Sequence, residues 1–139
     1  MKKNFAKFIE ELEWVDSIIG LVAISIILVA ALLVQYFEGE TPCPLCLLQR
    51  AALINVGLSL LMNVRYGNKV VHWAMVIISS CSGIAVSIRQ ILLHINSAEG
   101  FGGTFLGLHM YTGCFIIFSI CIVGSALMLL IYPERRQSS

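Results

Sequence analysis

Residues 18–34 read IIGLVAISIILVAALLV, an apolar run that only Gly20 and Ser25 interrupt. With its flanks it fills 17–37, about the 20 residues a helix needs to cross a hydrocarbon core of roughly 30 Å. The rest of the chain points the same way. Of its 139 residues, 58% are hydrophobic and 12% charged, against roughly 45–50% and about 25% in soluble domains. A formal net charge of +1 gives no reason to expect nucleic acid or an acidic partner. The five cysteines do not make a secreted disulfide scaffold, because Cys81, Cys114 and Cys121 lie inside apolar runs.

Three further runs, over 45–64, 70–93 and 105–132, are long enough to span. Backbone polar groups inside a bilayer must be bonded internally, so each run is expected to be a helix. The expected fold is all-α: one domain, 1–139, forming an antiparallel bundle of four transmembrane helices joined by short connections. No internal repeat, low-complexity tract or linker divides it. The second span is the least apolar, with Gln49, Arg50, Asn55 and Ser59 embedded in it, and so must keep a protein-facing side. In the third, Ser79, Gly83 and Ser87 recur every four residues, a small-residue seam suited to close helix contact.

Lys2, Lys3 and Lys7 precede the first span, as in a secretory signal. The acidic stretch with Glu10, Glu11, Glu13 and Asp16, the length of the run and the lack of a small-residue cleavage site argue that the span is retained. Those lysines share one side of the membrane with Arg65, Lys69, Arg135 and Arg136. The loops on the other side, 38–43 and 96–104, carry no Lys or Arg. Positive short loops stay in the cytoplasm, so both termini are expected there.

The chemistry is expected at Cys43-Pro-Leu-Cys46, a C-x-x-C opening the second helix on the extracytoplasmic side, where disulfides persist. A helix starting there brings the two sulfurs within bonding reach. Pro42 and Pro44 suit its first turn, and the free N–H groups of that turn would favour a thiolate at Cys46. Arg50 follows Cys46 by four residues, on the same face and about 6 Å along the axis. Arg89 and His109 fall near the outer ends of the third and fourth spans, with Gln49, Gln90 and His94 close by. Together they form a candidate outer-leaflet pocket beside a dithiol. Intramembrane charge is costly and marks function by default, although Arg89 can also snorkel to the surface. A dithiol being oxidised needs a two-electron acceptor, and in a membrane that is most simply a quinone, whose developing negative charge Arg50 would stabilise. A zinc site would need two more ligands at similar spacing, and none is present, so no metal is expected. A purely structural disulfide is the competing reading.

The segment Thr41-Pro-Cys-Pro-Leu-Cys-Leu-Leu-Gln-Arg50 resembles the C-x-x-C-x-x-x-R motif of the bacterial DsbB/BdbC family of disulfide-bond formation proteins. Residues 88–94, Ile-Arg-Gln-Ile-Leu-Leu-His, are similar to the arginine-containing end of that family's third helix. The resemblance covers roughly 14–131. It implies an inner-membrane thiol oxidase supporting disulfide formation, which reoxidises a thioredoxin-like, DsbA-type protein and passes electrons to ubiquinone or menaquinone. Carried over, Cys46 would face the quinone, Cys43 the aqueous thiol, and Arg50 would contact the quinone.

One departure stands out: the family has a second cysteine pair between its third and fourth helices, and residues 95–106 here contain no cysteine. Cys114 and Cys121 are too far apart along one helix to bridge, about 10.5 Å of rise. They and Cys81 are expected to be small packing residues. Either the partner's own C-x-x-C exchanges directly with Cys43-Cys46, or another protein supplies the missing pair. A non-catalytic membrane subunit that docks a partner is the alternative from another class, and reverse electron flow uses the same residues.

Overall fold

No glycine or proline occurs before Gly20, and the first helix, α1, starts at Lys2 and runs unbroken to Glu38. It therefore begins well ahead of the expected 17. The computed structural model describes residues 1–39, 41, 43–96, 104–105 and 108–138, with backbone alone for 104, 105, 108 and 132–138. α1 ends where Gly39 turns left-handed, φ 62°, and its N–H closes on the Gln35 carbonyl at 3.1 Å. A side chain would be strained in that conformation. α2 spans Pro44–Tyr66, α3 Val70–His94 and α4 Met110–Ser138.

The fourth helix starts later than the expected 105. Thr104–Phe105 instead pairs antiparallel with Leu108–His109 in a small hairpin. All four helices are long and apolar enough to cross a membrane, with mean hydropathy of 3.0, 1.7, 1.7 and 2.8 in chain order. The embedded polar residues account for the low value of α2.

α1 packs on α2, α2 on α3 and α3 on α4, while α1 meets α4 over only a few residues. α3 buries a stripe with alternating steps of three and four, the spacing that keeps one face toward a neighbour. On α3 that stripe is Trp73, Val76, Ser80, Gly83, Ser87 and Gln90. The small-residue seam thus runs through Ser80 instead of Ser79, which is only half-buried. Gly83 admits the fully buried ring of Phe118 from α4.

Polarity is inverted relative to a soluble protein. Ile19, Val22, Ile26, Val29 and Leu33 line the exposed side of α1, whereas Glu13, Ser17, Gln49, Ser59, Asn63, His72, Ser80, Ser87 and Gln90 are buried. Apolar area outside and hydrogen-bonding groups inside is the arrangement lipid favours, since helix association there depends on packing and polar contacts. Some hydroxyls bond within their own helices: Ser59 donates to the Asn55 carbonyl at 2.8 Å and Ser119 to that of Phe115 at 2.8 Å. At the end opposite the cysteines, Asn68 donates to Glu13 at 2.7 Å and Asn63 meets His72 Nδ1 at 2.9 Å. These bonds tie α1, α2 and α3 together there.

Candidate functional site

Cys43 is the N-cap of α2, with extended backbone (φ −69°, ψ 151°), and Pro44 takes the first helical position. Proline fits there because its missing N–H would have no partner and its ring presets φ. The cap bond is unusual: the backbone N–H of Cys46 donates to Cys43 Sγ at 3.2 Å. The helix start was expected to direct its free N–H groups at Cys46. One of them is directed instead at Cys43, because an N-cap side chain that carries an acceptor, here sulfur in place of the usual oxygen, reaches the amide three residues on. Pro42 lies outside the described residues. Both cysteines are free thiols and half-buried.

Across from them, the amide Nε2 of Gln90 lies 3.5 Å from Cys46 Sγ and 3.9 Å from Cys43 Sγ. Gln90 belongs to α3 and is 6% exposed. Its position is held from two sides. One turn earlier Ser87 accepts from Gln49 of α2 at 2.9 Å while donating to the Gly83 carbonyl, and one turn later His94 Nδ1 meets the Gln90 carbonyl at 2.7 Å. Gln90 was expected near an acceptor; here it touches the sulfurs themselves. Gln49, expected in the same pocket, is closed off as the bridge from α2 to α3.

His94 and His109 come together through a residue the sequence reading missed. Tyr111 stacks on His109 with centroids 5.1 Å apart and planes 6° apart, and on His94 at 5.8 Å and 20°. An aromatic two residues from His109 at the helix start was the available signal. His109 Nδ1 is buried with no hydrogen-bond partner among the described residues.

Arg50 turns toward α1. One guanidinium nitrogen donates to Gln35 Oε1 and the other to the Ala31 carbonyl at 3.2 Å. Gln35 was also overlooked, although a lone amide at the end of an apolar run is itself a sign of a polar neighbour. Arg89, one position from buried Gln90, is exposed on the outer side of α3. It does not join the contacts around the sulfurs, because successive helical residues differ by about 100° in direction. Of the remaining cysteines, Cys114 and Cys121 pack against the core as expected. Cys81 is exposed, a correction to the packing role expected for that residue.

Comparison with known proteins bears on this arrangement. The family model described as disulfide bond formation protein DsbB matches residues 16–102. A "Disulfide bond formation protein B" from Cupriavidus metallidurans is 38% identical over 74 residues, 52% of this chain and 46% of the relative. Relatives of the same name include one from Cupriavidus necator, 35% identical over 61% of this chain and 53% of its own length, and one from Chromobacterium violaceum, 42% identical over 50% and 44%. The chain spans about half the length of the curated relatives it matches. No solved structure gives a significant match. The matched stretch holds the apolar run of α1, the C-x-x-C at the cap of α2, and the Gln90 face of α3, and this chain belongs to the DsbB family of disulfide bond formation proteins.

Proposed function

We propose that this chain is a membrane thiol:quinone oxidoreductase of the bacterial cytoplasmic membrane, folded as one domain with both termini in the cytoplasm. It oxidises an extracytoplasmic thioredoxin-like, DsbA-type dithiol through Cys43 and Cys46 and delivers the electrons to ubiquinone or menaquinone. The observation that carries this reading is the pair of thiols at the α2 cap with an amide donor laid across both sulfurs.

Starting from the Cys43–Cys46 disulfide, a donor thiolate attacks Cys43 Sγ, the residue at the very end of the helix. The S–S bond breaks, and Cys46 leaves with the electron pair, its negative charge facing the Gln90 amide. The donor's second thiolate then displaces Cys43, and the donor departs oxidised. A bound quinone supplies the sink for two electrons and two protons. The residues fit such a group: a guanidinium carries five N–H donors, and Arg50 commits two nitrogens to α1, while His109 offers a buried unpartnered nitrogen beside the Tyr111 stack. Arg50 and His109 would hold it. Gln49 serves to hold α2 against α3, and Arg89 serves the membrane surface.

Arg50→Ala is expected to weaken apparent quinone affinity about tenfold, the worth of one hydrogen bond to developing charge. Thiol exchange at Cys43 should change far less. Quinone titration of the purified variant checks this, and a curve like the parent's removes Arg50 from the acceptor site. Replacing Cys81, Cys114 and Cys121 together by serine should leave turnover largely intact, since they serve packing or face outward. Loss of activity in the folded triple variant would route electrons through them. The assay that tests the whole reading is reconstitution of the parent with quinone and one reduced thioredoxin-like donor. Turnover with the donor alone establishes direct exchange with its C-x-x-C. A pair that stays oxidised whatever the quinone supply favours a structural crosslink in a docking subunit.

A further inference from the structure

The geometry points to Gln90 as the residue that sets the electron affinity of the Cys43–Cys46 pair, its amide N–H serving the anionic sulfur and its unpartnered carbonyl serving the protonated thiol. The inference rests on the reading that this pair is redox-active.

Reduction of the disulfide adds two electrons, breaks the S–S bond and, with one proton taken up, leaves one thiolate and one thiol. The two products have opposite needs: the thiolate accepts hydrogen bonds and the thiol donates one. A glutamine amide is among the few neutral side chains that meet both, with two N–H donors and a carbonyl acceptor on one planar group. Nε2 of Gln90 faces Cys46 at 3.5 Å and Cys43 at 3.9 Å, contact distances that sulfur's large radius allows. Its Oε1 is buried and has no partner among the described residues. An unsatisfied buried carbonyl weakens the fold. Its persistence beside two sulfurs is accounted for if, once the thiolate takes up a second proton, half a turn of the terminal torsion, which is broad and roughly two-fold, exchanges the N–H donors for the carbonyl and presents it to an S–H. The backbone does not have to move for this exchange. Gln90 is gripped by His94 at its backbone carbonyl and follows Ser87, which is bonded to Gln49, so the side-chain amide is left to turn.

The donor matters more to the reduced pair than to the disulfide, because hydrogen bonds to charged acceptors are the stronger ones. Removing it makes the pair more reducing. Gln90→Met keeps the length and much of the shape of the side chain but has neither donor nor strong acceptor, and Gln90→Leu is a second variant should the first misfold. In membranes or detergent without quinone or protein donor, each is equilibrated against graded dithiothreitol and the free thiols are alkylated and counted. The equilibrium is expected to shift about tenfold toward the disulfide, equivalent to about 30 mV for a two-electron couple. The same variants should melt at the parent's temperature or above it, since a buried unsatisfied group has gone. A merely structural glutamine would do the reverse, and lower melting with an unchanged potential overturns the assignment. The S–H stretching band of the reduced parent should also lie at lower frequency than in Gln90→Met; identical bands overturn the role of the carbonyl. If the parent's pair equilibrates as described but never reduces quinone, the proposed function fails while the role of Gln90 stands.

Discussion

Cys46→Ser is expected to abolish the proposed quinone reduction in the reconstituted system. Serine is nearly isosteric with cysteine, and its hydroxyl still faces the Gln90 amide, so α2 keeps its cap and its contact with α3. What disappears is the second sulfur. Without it Cys43 forms no intramolecular disulfide, the donor's electrons have no path to the acceptor, and turnover falls to the uncatalysed background. A loss this complete is expected when one member of a catalytic unit is removed, because the remaining member does not act alone. The measurement is the disappearance of quinone absorbance after mixing with a reduced thioredoxin-like protein. A parallel non-reducing gel with the oxidised form of the donor should show Cys43 held in a mixed disulfide, formed as the Cys43 thiolate opens the donor's disulfide and releases one donor thiolate, with no second cysteine at position 46 to displace the donor. Cys43→Ser should be equally inactive but should trap no donor. Quinone reduction that survives in Cys46→Ser would assign the chemistry to another sulfur and would end the reading of the C-x-x-C as the conduit.

The largest effect on stability is expected from Gly83→Ala. A Cβ built at Gly83 would sit 2.3, 2.4 and 2.6 Å from three ring atoms of Phe118. Non-bonded carbons do not approach that closely, so α3 and α4 must separate or the ring must move. Phe118 is fully buried, which leaves it nowhere to go. Overpacking of this kind costs about 1–3 kcal/mol and occasionally more, and the contact here is severe enough to place it at the top of that range. At roughly 3–6 °C per kcal/mol for a chain of this size, the melting temperature in detergent should fall by about 10 °C or more. Gly113→Ala and Gly124→Ala are the internal controls. An added methyl there meets nothing within 4 Å, and alanine's better helix propensity is worth up to about 1 kcal/mol. Shrinking the ring with Phe118→Leu should restore part of the loss in a Gly83→Ala background. If Gly83→Ala melts like its controls, the close approach of α3 and α4 at this point is wrong. The effect reaches the site as well, since Gln90 stands two turns further along the same face of α3.

How far the sequence carries can be judged from neighbouring residues. Arg89 and Gln90 look equally eligible for a polar pocket when read along the chain, yet one is exposed and the other buried against two sulfurs. The same holds for Ser79 and Ser80, of which periodicity chose the wrong one. A repeat of three and four residues names a face only to within one position. At Arg50 the sequence indicated a charge held in the membrane, and the partners on α1, Gln35 and the Ala31 carbonyl, came only from the packing of α1 on α2. Tyr111 likewise became part of the site through its neighbours and not through any motif.

The sequence by itself determined the class of protein, the number of spans and the placement of the cysteine pair at the start of a helix. These follow from local rules: the length of apolar chain a bilayer needs, and the preference of proline for a first turn. Tertiary structure alone decided which polar groups meet the sulfurs, which are spent on holding helices together and which face outward. Those outcomes depend on the rotation of each helix about its axis. That rotation is set by contacts such as the ring of Phe118 in the gap at Gly83 and the bond from Gln49 to Ser87, between residues far apart in the chain.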